Sequence, residues 1–242
     1  RCAAWKGRGD AALPPIAAFL KASFGADLVL DPDIVAGFVG DQSHLPGTAA
    51  GVARPETTRE CAAILRACSK AGLPVTLSGG RSNLTGSATP HGGVVMSLGK
   101  RLHPPVAVDL ARQLVTAPVG MILEELRREV IRQSRGAFHY PVDPTSRGDS
   151  SVGGTLACNA SGFIPGERGA TRERVESIEV VLAEGGVIRA RRGEYRSEKG
   201  RFHFVDGDRI MEVPVPRYDR PRIKNAGGPF SAPDGVMDFI DW

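Results

Sequence analysis

Two segments rich in glycine and small hydroxyl residues place the strongest constraint on what this chain can fold into. The first segment, residues 78–87, reads SGGRSNLTGS, and the second segment, residues 148–162, reads GDSSVGGTLACNASG. Glycine lacks a Cβ, so its backbone can turn sharply or pass close to a ligand. The composition therefore predicts two ligand-binding turns, although a plain turn and a turn before a buried helix are the structural alternatives.

The first segment directly follows an apolar run, Val75–Leu77, that predicts a short buried strand. Successive backbone N–H groups in a glycine-rich turn form a concave anion site. The side chains of Ser82, Asn83 and Thr85 add hydrogen-bond donors, and Arg81 adds a fixed positive charge. This combination predicts a site for a pyrophosphate.

The second segment combines glycine, alanine and small hydroxyl residues where a loop leads into a short predicted helix. The N-terminus of a helix attracts anions through its unpaired N–H groups. The small side chains of Gly153, Gly154 and Ala157 would also let a flat aromatic ring lie against the backbone. The segment therefore predicts a second contact to an aromatic, anionic ligand.

Composition narrows the class of protein. Glycine supplies 30 of 242 residues, and 41% hydrophobic content with mixed charges predicts a packed core in one large domain or two small ones. No apolar run approaches the roughly 18 residues of a membrane span, and the first ten residues lack a signal-peptide pattern. The four Cys and five His residues have no metal-ligand spacing, so we expect no metal site.

Positive charge is concentrated near the end of the chain. Residues 189–224 hold 11 Lys and Arg against six Asp and Glu, an excess of five, while the whole chain carries +4. Few aromatic residues accompany these charges, which argues against nucleic acid as a partner. Arg217, Arg222 and Lys224 could meet a carboxylate, and a solvated face is the alternative for each.

Hydrophobic periodicity predicts a mixture of helices and strands without strict βαβ alternation, which is an α+β fold. The Val29–Leu30 region is predicted as loop, and the alternation in residues 236–242 is typical of a strand. The predicted helices cover residues 11–24, 57–72, 121–135 and a short stretch from Gly153. The predicted strands cover residues 75–77, 94–98, 106–109 and 113–117, with a hairpin of residues 175–182 and 187–190.

At the two segments the chain resembles the FAD-binding domain of the p-cresol methylhydroxylase and vanillyl-alcohol oxidase superfamily. It is most similar to the FAD-linked oxidases that include glycolate oxidase and D-lactate dehydrogenase. Ser78 and Arg81 stand where that family usually has arginine and glycine. The resemblance rests on several short stretches: residues 38–43 (FVGDQS), 52–58 (VARPETT), 78–86, 141–144 (PVDP), 151–154 (SVGG), Ala157, 159–160 (NA), Gly162 and 169–185.

The resemblance implies two α+β subdomains that bind FAD between them. We expect an FAD-binding domain at residues 1–190, with its first subdomain at about 20–110 and its second at about 111–190. Residues 191–242 would form a basic connecting segment that leads to a C-terminal substrate domain outside this sequence. The resemblance places at the cofactor Ser78, Gly79, Gly80, Arg81, Ser82, Asn83, Gly86, Ser87, Pro144, Thr145, Gly148, Ser151, Val152, Gly153, Gly154, Ala157, Asn159, Ala160, Gly162 and Val187.

The implied activity is oxidation of a small 2-hydroxy acid by hydride transfer to flavin N5. No His or Cys falls clearly at a family attachment position, so we expect non-covalent FAD in a cytoplasmic protein, either free or peripheral to a membrane. The electron acceptor and catalytic base stay unassigned, and an oligomer or a membrane-associated electron-transfer partner stays open. Two alternatives are a UDP-N-acetylenolpyruvoylglucosamine reductase-like enzyme, which shares the loop at Gly79–Leu84, and a non-catalytic flavin-binding subunit of an oxidase complex.

Overall fold

The computed structural model describes residues 6–99, 105–163, 169–206, 209–216, 218, 223, 225–229 and 234–241. The chain divides into two compact units. Unit 1 consists of Arg1–Tyr140, Ser146–Gly154 and Val181–Gly185, and unit 2 consists of Pro141–Thr145, Thr155–Val180 and Gly186–Trp242. The division falls inside the second segment, between Gly154 and Thr155.

Unit 1 is built around a four-stranded sheet of order β1-β2-β4-β3. Its strands are β1 (Leu28–Val29), β2 (Gly51–Ala53), β3 (Val75–Ser78) and β4 (Val94–Ser97). The first pair is antiparallel, whereas β2 and β3 both run parallel to the central β4. Because β3 ends at Ser78, the first segment leaves the sheet at the carboxyl end of that strand.

Helices α1 (Leu13–Phe24) and α3 (Thr58–Ala71) cover this sheet with a continuous apolar cluster. Helix α3 begins with the capping box that its sequence predicts, since the Thr57 hydroxyl accepts the Glu60 N–H at 3.2 Å. It ends at Gly72, whose φ of +72° is left-handed. The short helix α2 (Pro32–Ala36) follows β1, with the Asp31 side chain capping its first turn.

A smaller cluster in unit 1 joins helix α4 (Leu123–Gln133) to the hairpin of β5 (Ala107–Asp109) and β6 (Leu114–Thr116). The Gln133 side chain ties the two together by accepting the Val108 N–H at 3.2 Å and donating to the Val106 carbonyl at 3.1 Å. The short helix α5 (Val152–Ala157) begins in this unit.

Unit 2 contains two two-stranded sheets around an aromatic core. They are formed by β7 (Ser177–Val181) with β8 (Val187–Arg191), and by β9 (Arg201–Asp206) with β10 (Arg209–Pro214). Phe202, Phe204 and Phe239 pack together, with the last two ring centroids 5.0 Å apart. No helix in the described ranges is long and apolar enough to cross a membrane.

The α+β prediction is confirmed, and three local predictions are wrong. Residues 28–29 form β1 rather than loop, because pairing with β2 supplies backbone partners that the local sequence does not reveal. The region after Arg191, expected to be a basic connecting segment, contains the β9–β10 hairpin. Residues 239–241 form a 3₁₀ turn instead of a strand, since adjacent Phe239 and Ile240 are both buried.

Candidate functional site

The first and second segments touch each other within unit 1. A Cβ added at Gly79 would overlap the hydroxyl of Ser151, and one added at Gly80 would overlap the carbonyl oxygen of Asp149. The Cβ added at Gly80 would also lie 3.0 Å from the Ser150 Cα. Two glycine-rich turns that lie about 70 residues apart in the chain therefore form one structure.

This contact gives the first two glycines a different role from the expected one. We expected them to remove side chains that would block a ligand, whereas their Cβ positions are filled by the backbone and Ser151 of the other segment. Glycine is required here because two backbones approach closely. The ligand-facing groups must therefore be N–H groups and hydroxyls.

Backbone N–H groups divide the first segment into two halves. Within the described part of the chain, the N–H groups of residues 80–84 donate to no protein acceptor. Two of the next three N–H groups are paired, since Asn83 Oδ1 accepts those of Thr85 and Ser87 at 3.2 and 3.1 Å. Just beyond the segment, the Thr89 N–H donates to the Gly86 carbonyl. The first half thus presents consecutive free donors, as an anion site requires.

Asp41, which lies outside the first segment, hydrogen-bonds to Asn83 within it and to Ala88 directly after it. Its Oδ1 accepts the N–H and hydroxyl of Ser43 at 2.9 and 2.5 Å, and its Oδ2 accepts the Ala88 N–H at 3.1 Å. Partial burial raises the pKa of Asp41, but the hydrogen bonds from Ser43, Ala88 and Asn83 outweigh burial and lower that pKa from 3.8 to about 2.

The lowered pKa of Asp41 predicts a pH-dependent contribution to stability. The ionised carboxylate is favoured in the folded state, so its stabilisation is present above about pH 4 and is lost as the pH falls from 3.8 towards 2. We expect the free energy of unfolding of wild type and Asp41→Asn, measured in urea, to converge across that range. A difference that stays constant from pH 7 to pH 2 would contradict this assignment.

Arg81 departs from its predicted role. Its φ is +55°, a left-handed conformation that is uncommon outside glycine. Its guanidinium donates to the Gly37 carbonyl at 2.5 Å and lies 5.5 Å from the centre of the Phe38 ring. The side chain therefore contacts the neighbouring loop, and the backbone N–H is the group of Arg81 that is left for the predicted anion site.

At the start of the helix in the second segment, the backbone donors are already used. The N–H groups of Val152 and Gly153 donate to the carbonyls of Met121 and Val119 at 2.8 and 2.7 Å, and that of Gly154 donates to the Ser151 hydroxyl at 3.1 Å. We expected free N–H groups at this helix start. The second segment instead supports the first and offers small side chains to a ligand.

Two buried hydroxyls flank the contact without partners. Ser78 is 1% exposed and Ser150 is 6% exposed, and neither side-chain oxygen has a hydrogen-bond partner in the described ranges. A buried unsatisfied polar group costs about 1–3 kcal/mol. Orphaned hydroxyls and free N–H groups at one junction fit a phosphate-bearing cofactor.

The remainder of the second segment belongs to unit 2. The Asn159 side chain is buried, accepts the Arg172 N–H at 2.9 Å and donates to the Gly227 carbonyl at 3.4 Å. The Ala160 carbonyl accepts the hydroxyl of Thr171 at 2.7 Å. These contacts fix the backbone where the resemblance expects cofactor contacts.

Other predicted site residues also lie in unit 2. A Cβ at Gly162 would overlap Asp143, so close backbone approach explains that glycine. The basic residues Arg217, Arg222 and Lys224 lie outside the described residues. The roles of the following residues stay predictions: buried Pro144, exposed Thr145 and Ala157, and Val187, which is 44% exposed in β8.

Sequence reasoning missed the contributions of Asp41, Ser43 and Ser150. The Asp-x-Ser spacing of residues 41–43 carried a signal, because an Asp side chain often accepts the N–H two residues later in a turn. Ser150 carried none, since nothing local shows that its hydroxyl is buried without a partner.

Comparison with known proteins agrees with this geometry. The FAD binding domain family matches residues 49–191. Among curated proteins, the glycolate oxidase subunit GlcD of Bacillus subtilis is 35% identical over 138 residues, covering 57% of this chain and 29% of that protein. The D-lactate dehydrogenase of Anaerostipes hadrus is 33% identical over 145 residues, covering 57% of this chain and 30% of that protein.

Solved structures show the same fold at lower identity. A xylooligosaccharide oxidase from Myceliophthora thermophila matches with a TM-score of 0.60 and 22% identity, covering 73% of this chain and 37% of that one. A 4-ethylphenol oxidase from Gulosibacter chungangensis matches with a TM-score of 0.59 and 22% identity, covering 73% and 34%.

The chain belongs to the FAD binding domain family, because the family match covers more than half of it. The α+β fold is the one found in these two solved oxidases. The chain spans about 30% of the length of the curated relatives it matches.

Proposed function

We propose that this chain is the FAD-binding part of a flavin-dependent oxidoreductase that oxidises a small 2-hydroxy acid. The observation that carries the proposal is the junction of Gly79 and Gly80 with residues 149–151, beside the free N–H groups of residues 80–84. The substrate class is supported by relatives named as glycolate oxidase, D-lactate dehydrogenase and D-2-hydroxyglutarate dehydrogenase.

The chain's own residues would bind and orient the cofactor. The free N–H groups of residues 80–84 and the Ser82 hydroxyl would hold the pyrophosphate, because several fixed donors can share its negative charge. Gly154 and neighbouring small residues would let the cofactor lie close to the backbone. When bound, FAD supplies the capacity to accept a hydride equivalent from the C2–H bond of the substrate.

We further propose that the FAD is held without a covalent bond. One structural neighbour, the glucooligosaccharide oxidase of Acremonium strictum, carries 6-S-cysteinyl, 8α-N1-histidyl FAD. The first segment of this chain contains neither Cys nor His. Among the described cysteines, Cys61 and Cys68 are buried, and burial raises the pKa of Cys68 to about 11; Cys158 is exposed.

Purified protein is expected to be yellow with one FAD per chain, because the site offers one set of phosphate donors. Acid precipitation should leave all flavin absorbance in the supernatant, and wild type should not differ from Cys158→Ser in this respect. Flavin that stays with the pellet would contradict non-covalent binding. Colourless protein that gains no flavin absorbance on titration would overturn the proposed site.

Turnover is expected to need the remainder of the protein. When this chain is loaded with FAD and mixed with D-lactate, glycolate or D-2-hydroxyglutarate, we expect its flavin absorbance near 450 nm (roughly where bound flavins absorb) to stay unchanged. The full-length protein should be bleached anaerobically by at least one of these acids. Bleaching by none of them, but by a reduced nicotinamide, would favour the alternative reductase; bleaching by neither would favour a non-catalytic subunit.

A further inference from the structure

We infer that residues 37–45 form a positioning segment that fixes the free N–H groups of the first segment, with Asp41 and Arg81 as the joining residues. The inference rests on the proposed function, since it concerns how this chain prepares its FAD pyrophosphate site. All of the contacts involved lie within unit 1.

Arg81 joins the start of the anion site to the positioning segment through three contacts. Its carbonyl accepts the Gln42 N–H at 3.2 Å, its guanidinium donates to the Gly37 carbonyl at 2.5 Å, and the same group lies over the Phe38 ring. These contacts hold the backbone in its left-handed conformation, which an unsupported arginine disfavours. The Arg81 side chain thus positions the loop, and only its backbone N–H is left as a donor to the anion.

Asp41 joins the other end of the same loop. Its carboxylate accepts the N–H of Ala88, which directly follows the first segment, and Asn83 also hydrogen-bonds to it. Gln42 and Asp41 are adjacent in the chain, so the two ends of residues 81–88 are tied to neighbouring points. The free N–H groups of residues 82–84 lie between these ties, and those of Gly80 and Arg81 lie at the first of them.

The middle of the loop is also covered by the positioning segment. The Ser43 hydroxyl accepts the Leu45 N–H at 3.2 Å, which places the Leu45 side chain against Gly86. A Cβ at Gly86 would lie 2.6 Å from a methyl group of Leu45, and its φ is +75°. Contacts therefore reach the loop at its beginning, middle and end.

The charge of Asp41 supports a positioning role. A carboxylate close to an anion site opposes a bound phosphate, because like charges repel. Both Asp41 oxygens are instead engaged by N–H and O–H donors of the two loops. The residue fits this place through its capacity to accept several hydrogen bonds, which preorganises the donors and lowers the entropy cost of binding.

The test measures affinity for FAD and for ADP, which carries the same pyrophosphate, by titration of the cofactor-free protein. Asp41→Asn places an amide donor against N–H donors, and we expect it to weaken both ligands by the same factor, about 10- to 100-fold. Asp109→Asn is the matched control, since Asp109 accepts the Arg112 N–H at 3.0 Å in the β5–β6 turn. It should change neither affinity by more than about twofold.

A second pair of variants covers the case in which Asp41→Asn fails to fold. Ser43→Ala removes the hydroxyl that bonds to Asp41, and Ser43→Thr keeps it; we expect weaker FAD and ADP binding for the first and near wild-type binding for the second. Circular dichroism should show all compared forms folded at the titration temperature. If wild type binds FAD and neither Asp41→Asn nor Ser43→Ala changes the affinities, the inference is overturned and the proposed function stands. If wild type binds neither FAD nor ADP, both are overturned.

Discussion

Gly80→Ala is expected to weaken FAD binding by about one to two orders of magnitude. The added Cβ would overlap the Asp149 carbonyl and lie 3.0 Å from the Ser150 Cα, and backbone atoms cannot move aside as a side chain can. Forcing an extra carbon into a packed junction costs about 1–3 kcal/mol, so the junction shifts to relieve the overlap. Because the proposed site needs the unshifted junction, restoring it on binding would lower the affinity by about 5- to 150-fold. Flavin fluorescence titration of the cofactor-free protein measures the change.

Gly99→Ala provides the matched control for this variant. Gly99 lies in unit 1 outside both segments, and a Cβ added there would meet only the Ser97 hydroxyl, at an ordinary van der Waals distance of 3.7 Å. We expect Gly99→Ala to bind FAD within about twofold of wild type. Equal affinities for Gly80→Ala and Gly99→Ala would show that the contact between the two segments does not govern cofactor binding.

Gly153→Val is expected to destabilise the cofactor-free protein itself. Its Cβ would lie 2.8 Å from the Val119 Cβ and 3.1 Å from the Val119 carbonyl oxygen, which accepts the Gly153 N–H. We expect a loss of about 1–3 kcal/mol or more, seen as a melting temperature lowered by about 3–10 °C. Thermal unfolding followed by circular dichroism without flavin makes the measurement.

Gly148→Val separates this effect from the general cost of a β-branched residue in a loop. Its melting temperature should stay within about 2 °C of wild type, because the site is open. A normal melting temperature for Gly153→Val with lost flavin binding would instead indicate that this glycine faces the ligand directly.

Local sequence was sufficient for elements whose signals lie within the element. Helix α3 could be predicted from Thr57 to Gly72, because capping, periodicity and the terminal glycine all lie within sixteen neighbouring residues. The importance of residues 78–87 and 148–154 could also be predicted, since a doubled glycine-rich composition is unusual. Glycine content can be counted in the sequence without knowing which atoms each glycine contacts.

The reasons behind the site could not be predicted, because they depend on contacts between distant residues. Gly80 could be explained by a ligand or by another backbone, and only its approach to Asp149 decides between them. Arg81 carries the same charge whether it faces an anion or the Gly37 carbonyl. The β9–β10 hairpin likewise depends on burial of Phe202 and Phe204 in a cluster that includes Phe239.

The division of N–H groups within the first segment has a consequence for isotope labelling. Amide protons of residues 80–84, which lack acceptors in the described part of the chain, should exchange with deuterium rapidly, whereas those of Thr85, Ser87 and Ala88 should be retained longer. A decrease in deuterium uptake on adding the cofactor, confined to the peptide before Thr85, would then show that the site is occupied without a measurement of flavin absorbance.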